Sequence, residues 1–373
     1  MAFEALRAYQ DALLKTHAVG TDLAVCRGDT PVYRHMNGFA DREAGVRVSG
    51  DTLFRVYSMT KPITCTLAMM LHDRGRFLMT DPLGDYLPAF SRMRVAVGNN
   101  TRDAEQPIRI LHLFTMTSGL DYNADRESLI QVQRARGCEF TMAQAVEAIA
   151  ADPLLFEPGT RFCYGFSHDV LGVLIETLCG ASLGECMREM LFEPLGMACS
   201  FFEVPVAARS RCARSYASQP PFGQDPGMDQ YFLAFPNLES GGGGLVMTTD
   251  DYLRFTLMLR RGGTDERGQP LVSEAAVGLM RRNHLGGAVH AGYMAERPGY
   301  GYGLGVRVLT HPEMNGALTR VGEYGWAGAQ GTWMMVDPES DLTAVFMMQG
   351  VPGPNREIHP RLRNLIAAGV CSL

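Results

Sequence analysis

Ser58 and Lys61 stand three residues apart in the run Val-Tyr-Ser-Met-Thr-Lys that begins at Val56. A serine hydroxyl is a poor nucleophile until something takes its proton. On a helix, side chains at i and i+3 share a face, so Lys61 is placed to reach the Ser58 oxygen. The bare S-x-x-K pattern is weak, because both residues are common. The background sharpens it. Of 34 basic side chains only Lys15 and Lys61 are lysines. Arginine keeps its proton near neutral pH and cannot serve as a base. A lysine kept in such a chain, one helical turn after a serine, points to nucleophilic catalysis. The plainer reading is a solvated lysine in the first turn of a helix.

An acyl transfer also needs a group that delivers a proton to the leaving atom. Tyr164, in the run Phe-Glu-Pro-Gly-Thr-Arg-Phe-Cys-Tyr-Gly-Phe-Ser that starts at Phe156, is the candidate. It lies in a short extended piece between a turn and a helix opening near Ser167, a place that faces a cleft. Taken alone, such a tyrosine is more often core. Ser167 is expected to cap its helix, and His168 is weighed as a catalytic histidine and set aside. Trp326, Gly328 and Gly331 lead into a strand over 331–337, where glycines let a substrate approach the strand edge. The backbone N–H groups of Ser58 and Ala329 are the expected oxyanion hole. A glycine-rich hairpin carrying a packed Trp326 is the competing reading. Asp121 and Tyr122, after the turn at 117–121, border the expected cleft.

These residues need elements to hold them. The first 17 residues alternate apolar and charged types at helical spacing. Two strands follow, with a turn near Gly28-Asp29. Apolar residues at 63, 67, 70 and 71 predict a buried helix ending near Gly75. Pro62 must lie in its first turn, since deeper in it would remove a helical hydrogen bond. Ser58 is thus at the helix N-terminus, where unpaired N–H groups favour negative charge. Residues 62–235 read as mostly helical, with an irregular surface loop or lid over 200–236. From about 300 to 350, short alternating runs separated by turns read as an antiparallel meander, and a helix closes the chain. The economical arrangement is α+β: one antiparallel sheet from both chain ends, 1–61 and 236–373, covered by the terminal helices. The helical region 62–235 is inserted between its strands, with the cleft at the junction.

Composition removes several alternatives. A formal net charge of −6, with no basic run longer than two arginines, argues against nucleic acid. No stretch nears the ~18 apolar residues of a membrane span. The opening residues lack the basic-then-apolar pattern of a secretory signal. The nine cysteines, an odd number without C-x-x-C pairs, read as reduced thiols of a cytoplasmic protein. No metal-ligand spacing appears, and "SGGGGL" (240–245) and "GYGLG" (301–305) do not fit nucleotide-binding loops. No metal or other cofactor is expected. Oligomeric state is not legible.

Taken together, "YSMTK" (57–61), "DRGRFLMTDPLGDYLPAF" (73–90), "LHLFTMTSGL" (111–120), "FEPGTRFCYGFSHDVLG" (156–172), "EPLGMACSFF" (193–202) and "SGGGGLVMTTDDYLRF" (240–255) resemble, in order, the serine β-lactamase-like superfamily. The branch is that of class C β-lactamases, DD-peptidases and family VIII carboxylesterases. The resemblance covers about residues 20–365. It implies a β-lactamase/transpeptidase-like fold and an acyl-enzyme on Ser58, with Lys61 and Tyr164 handling protons. Two departures bear on substrate. Phe166 stands where β-lactamases carry the Asn of Y-x-N. Trp326-Ala327-Gly328 stands where they and the peptidases carry K-T-G, similar to the W-x-G of esterase members. A cation there would pair with a substrate carboxylate, and Trp offers an apolar wall instead. Both changes move the expectation toward small or medium neutral esters, bordered by Trp326, Gly328, Phe166 and Tyr122. The acyl group goes to water or to another acceptor. A lactam or D-amino-acid peptide hydrolase is the nearest alternative. A non-catalytic binding homologue is the alternative of a different class.

Overall fold

A computed structural model describes residues 2–225 and 237–372. Helix α1, Glu4–Thr16, precedes the hairpin β1, Gly20–Arg27, and β2, Thr30–Asp41, with the short β3, Val46–Arg47, beyond it. Helix α2, Thr60–Asp73, carries Lys61 and holds Pro62 in its first turn, where the missing N–H has no intrahelical partner to lose. Helix α3 is Ser167–Cys179 and α4 is Thr249–Arg260. The meander follows as β4, Tyr300–Tyr302, β5, Arg307–Leu309, β6, Tyr324–Ala327, β7, Trp333–Asp337, and β8, Leu342–Met348. Helix α5, Asn355–Val370, ends the fold.

The eight strands form one sheet in the order β4-β5-β6-β7-β8-β1-β2-β3. Every pairing in it is antiparallel. The two chain ends therefore meet at β8 and β1, where Leu23 lies opposite Phe346. Side chains alternate across a strand, and the sequence uses that to bury both faces. Trp333, Met335, Ala344, Phe346 and Met348 face Leu6 and Leu13 of α1 and Ile358, Leu362 and Ile366 of α5. Met334, Val336, Val345 and Met347 face the larger core that includes Tyr252, Phe255 and Met258 of α4. Each such side chain contributes about 1.5–3 kcal/mol relative to exposure, so burial rather than propensity seats these helices.

That larger core runs without a break into the helical region, through Ile63, Leu67 and Leu71 of α2 and Val170, Leu171 and Leu174 of α3. Three details differ from the sequence reading. A hairpin, Arg94–Val97 with Asn100–Asp103, interrupts the helical stretch. The stretch expected to be an irregular lid is partly regular. Ser200–Phe201 pairs with Val246–Met247, and Tyr216–Ala217 pairs with Gly350–Val351. Residues 226–236 of that expected loop lie outside the described residues. Finally, Ser167 does not cap α3. Phe166 holds the N-cap position, and the buried Ser167 hydroxyl bonds that of Ser118 at 2.8 Å. A serine before an apolar run looks like a cap, but here a second buried hydroxyl satisfies it.

Candidate active site

Ser58 sits in a single tight turn, Tyr57–Met59, that runs directly into α2. Tyr57 adopts a φ of +47°, the left-handed region that non-glycine residues avoid at about 1–2 kcal/mol. The surroundings over-determine this turn. The Val56 N–H donates to the Leu245 carbonyl at 3.0 Å. The buried Tyr252 hydroxyl donates to the Met59 carbonyl at 2.7 Å, and the Thr332 hydroxyl to the Val56 carbonyl at 3.2 Å. The nucleophile is therefore held by α4 and by the β6–β7 turn as much as by its own helix.

Gly328 makes that second hold possible. A Cβ there would stand 2.4 Å from the Val56 carbonyl oxygen and 2.1 Å from the Thr332 hydroxyl oxygen. Gly328 is thus a close-approach glycine. Trp326, Ala327 and Ala329 line the cavity that Ser58 opens into, and Gly328 does not. Gly328→Ala is expected to destabilise the fold by about 2 kcal/mol, the scale of overpacking a tight contact. Chemical denaturation should show a lower midpoint with an unchanged slope.

Lys61 is fully buried, and its side-chain nitrogen lies within hydrogen-bond distance of three oxygens: the Ser58 hydroxyl at 3.1 Å, the Tyr122 hydroxyl at 2.9 Å and the Gly242 carbonyl at 2.5 Å. A buried cation without such partners would be prohibitively costly. The spacing of S-x-x-K delivers the first contact. The other two come from segments 61 and 181 positions away.

The structure places Tyr164 differently from the simple relay expected. Its ring face, not its hydroxyl, meets Lys61, with the nitrogen 4.6 Å from the ring centroid. The hydroxyl oxygen accepts from Trp326 Nε1 at 3.2 Å, and the two rings stack at 5.9 Å. Tyr122 packs edge-on against both Tyr164, at 5.4 Å, and Phe166, at 4.9 Å. Phe166 therefore buttresses Tyr122, and neither of them is among the residues lining the cavity. Ser58, Tyr164, Trp326 and Ala329 do line it, in a space of about 590 Å³. The Ala329 N–H, expected in the oxyanion hole, has no hydrogen-bond acceptor among the described residues.

His168 is no catalytic base. It is fully buried, its Nε2 lies 3.3 Å from the Phe114 carbonyl, and burial with the nearby Lys61 charge pushes its pKa down to about 3. Its neighbour Asp169, passed over in the sequence, matters more. Asp169 Oδ1 accepts from the Ser240 hydroxyl and from the Gly242 N–H at 3.1 Å. It fixes the peptide whose carbonyl receives Lys61. Burial raises the Asp169 pKa, while the Lys61 charge works in the opposite direction. The glycine run was the available signal. A Cβ on Gly241 would stand 2.6 Å from the His168 carbonyl oxygen, and one on Gly242 would stand 2.5 Å from Asp169 Oδ2. Successive glycines mark a close backbone approach, here to a helix start and not to a phosphate. Among the described residues no His, Cys, Asp or Glu cluster could hold a metal ion. Among them, too, no single helix is long and apolar enough to cross a membrane.

Comparison with known proteins identifies relatives over nearly the whole chain. The family model described as Beta-lactamase matches residues 4–368. Protein Rv1367c of Mycobacterium tuberculosis (strain ATCC 25618 / H37Rv) is 35% identical over 333 residues, 84% of this chain and 82% of its own. Esterase EstB of Burkholderia gladioli is 29% identical over 384 residues, 93% of this chain and 91% of its own. Among solved structures, EstCE1, a hydrolase with promiscuous acyltransferase activity, superposes with a TM-score of 0.81 at 24% identity. That match covers 99% of this chain and 98% of EstCE1.

Proposed function

This chain belongs to the β-lactamase family, and from that premise we propose that it is a serine carboxylesterase working through an acyl-enzyme on Ser58. The observation that carries the reading is the buried Lys61 nitrogen 3.1 Å from the Ser58 hydroxyl. With the amine neutral, its two N–H bonds serve Gly242 and Tyr122, and its lone pair is left for the Ser58 proton. Ser58 Oγ then attacks the ester carbonyl as Lys61 takes that proton. The carbonyl oxygen, now negative, lies against the Ser58 and Ala329 N–H groups, where fixed donors stabilise it.

Tyr164 supplies the proton that the leaving group needs. Its oxygen accepts from Trp326, and its own proton has no acceptor among the described residues. That proton passes to the departing alkoxide. In the second half, water or an acceptor alcohol gives a proton to the tyrosinate and attacks the acyl carbon, and Lys61 returns its proton to Ser58. Transfer to an alcohol is supported by the activity named for EstCE1. Tyr164→Phe is expected to lower kcat about 100-fold with little change in KM, the usual scale for a lost acid or base. Steady-state kinetics on p-nitrophenyl butyrate measure this.

Trp326 and Phe166 support ester over lactam substrates, since neither offers the cation or amide that a lactam carboxylate and side-chain amide would use. The test is turnover of p-nitrophenyl butyrate beside the chromogenic lactam nitrocefin. Ester turnover with little lactam turnover is expected. Fast nitrocefin hydrolysis would overturn the ester preference, and silence on both would favour a pocket that only binds.

A further inference from the structure

The cavity that Ser58 lines is also lined by Trp326 and Trp333 and by four arginines, Arg297, Arg307, Arg356 and Arg363. Two of these cations are matched. Arg307 pairs with the buried Glu323 at 2.8 Å, and Arg297 with Glu296 at 3.0 Å. Arg363 is different. It is only 3% exposed, yet it has no carboxylate partner among the described residues. Its Nη1 donates to the Tyr300 hydroxyl and its Nε to the Asn364 side chain at 3.3 Å. Both partners are neutral and Nη2 donates to no described residue, while the Tyr300 hydroxyl in turn donates at 3.5 Å to Glu323, the carboxylate that already pairs with Arg307. The exposed Arg356, two helical turns before Arg363 on the same helix, also lacks a carboxylate partner among the described residues. One carboxylate, Glu323, thus serves two guanidiniums, an excess of positive charge that is costly when buried, and planar, bidentate carboxylate recognition is what the Arg363 geometry suits.

We propose that the substrate is an ester carrying a carboxylate remote from the reacting carbonyl, which docks on Arg363 with Arg356 beside it while its apolar middle lies on Trp326 and Trp333. This rests on the esterase reading and adds a substrate class to it. It is compatible with the missing cation at Trp326, because Trp326 bonds Tyr164 while Arg363 bonds Tyr300, a different part of the cavity wall. His359, on the same wall, adds no charge. Burial pushes its pKa down to about 3, and its Nε2 lies 3.0 Å from the Gly331 carbonyl.

Two ester pairs test this, and they separate the two ends at which the anion can sit. Mono-p-nitrophenyl suberate and p-nitrophenyl octanoate differ only by a carboxylate on the acyl chain. The butyrate esters of 4-hydroxybenzoate and 4-hydroxybenzamide differ by one on the leaving group. In one pair at least, kcat/KM should favour the carboxylate member tenfold or more. Arg363→Gln should erase that preference, Arg363→Lys should keep part of it, and the surface change Arg356→Gln should lower it about threefold. Ratios within twofold in both pairs, or a preference that survives Arg363→Gln, would overturn the proposal. If no ester is turned over, calorimetry with suberate decides separately. Binding by the wild type that Arg363→Gln loses keeps the anion site although the esterase reading fails. No binding removes both.

Discussion

Ser58→Ala is expected to bring p-nitrophenyl butyrate hydrolysis to the uncatalysed background, a loss of at least about 10⁴-fold, because among the described residues lining the cavity Ser58 is the only serine and none is a cysteine, threonine or lysine. Lys61, the nearest alternative, is engaged by three oxygens and lies behind Ser58. The substitution removes one hydroxyl from a half-buried position, so thermal stability should move little. A fluorophosphonate probe should add a single mass increment to the wild type, on the peptide that contains Ser58, and none to the variant. Labelling elsewhere with retained turnover would end the Ser58 assignment.

Lys61→Arg should cost about 10³-fold in kcat, roughly 4 kcal/mol of transition-state stabilisation. Arginine keeps the positive charge and can still donate to the Gly242 carbonyl and the Tyr122 hydroxyl. It does not accept the Ser58 proton, because it stays protonated at any working pH. A role for Lys61 as a fixed cation alone would survive this change, and a role as base would not. Lys61 is not among the residues lining the cavity, so KM should change far less than kcat. Fluorophosphonate labelling of Ser58 should slow in parallel with kcat, since the same deprotonation limits both. A variant that labels at the wild-type rate would show that another group activates the serine.

Much of this molecule is readable in one dimension because the relevant contacts are local. Ser58 and Lys61 meet through i,i+3 helical geometry, and Pro62 fixes where that helix begins. The hairpin at Gly28-Asp29 and the meander from 300 to 348 follow from alternation and turns. Tyr164 and Trp326 are legible as cleft residues, but their mutual hydrogen bond joins positions 162 apart and no periodicity encodes it. Ser167 misleads for the same reason. A capping serine and a serine bonded to a distant buried hydroxyl have identical local sequence.

The sequence alone determines that the chain is an α+β protein of the β-lactamase/transpeptidase-like type, with a serine and a potential base on one helical face. The α+β arrangement and the paired residues rest on periodicity, backbone restriction and a nearest-turn contact, and the β-lactamase/transpeptidase-like type rests on the resemblance of the ordered motifs. The tertiary structure decides what surrounds the pair. It brings Gly242, held by Asp169, and Tyr122 onto the lysine, turns the Tyr164 hydroxyl toward Trp326, and sets Arg363 in the cavity wall with no carboxylate of its own among the described residues. Each of these is a relation between segments far apart in the chain. Only packing chooses among the many partners that a buried hydroxyl, carbonyl or guanidinium can accept, because the cost of leaving such a group alone depends on where the fold has put it.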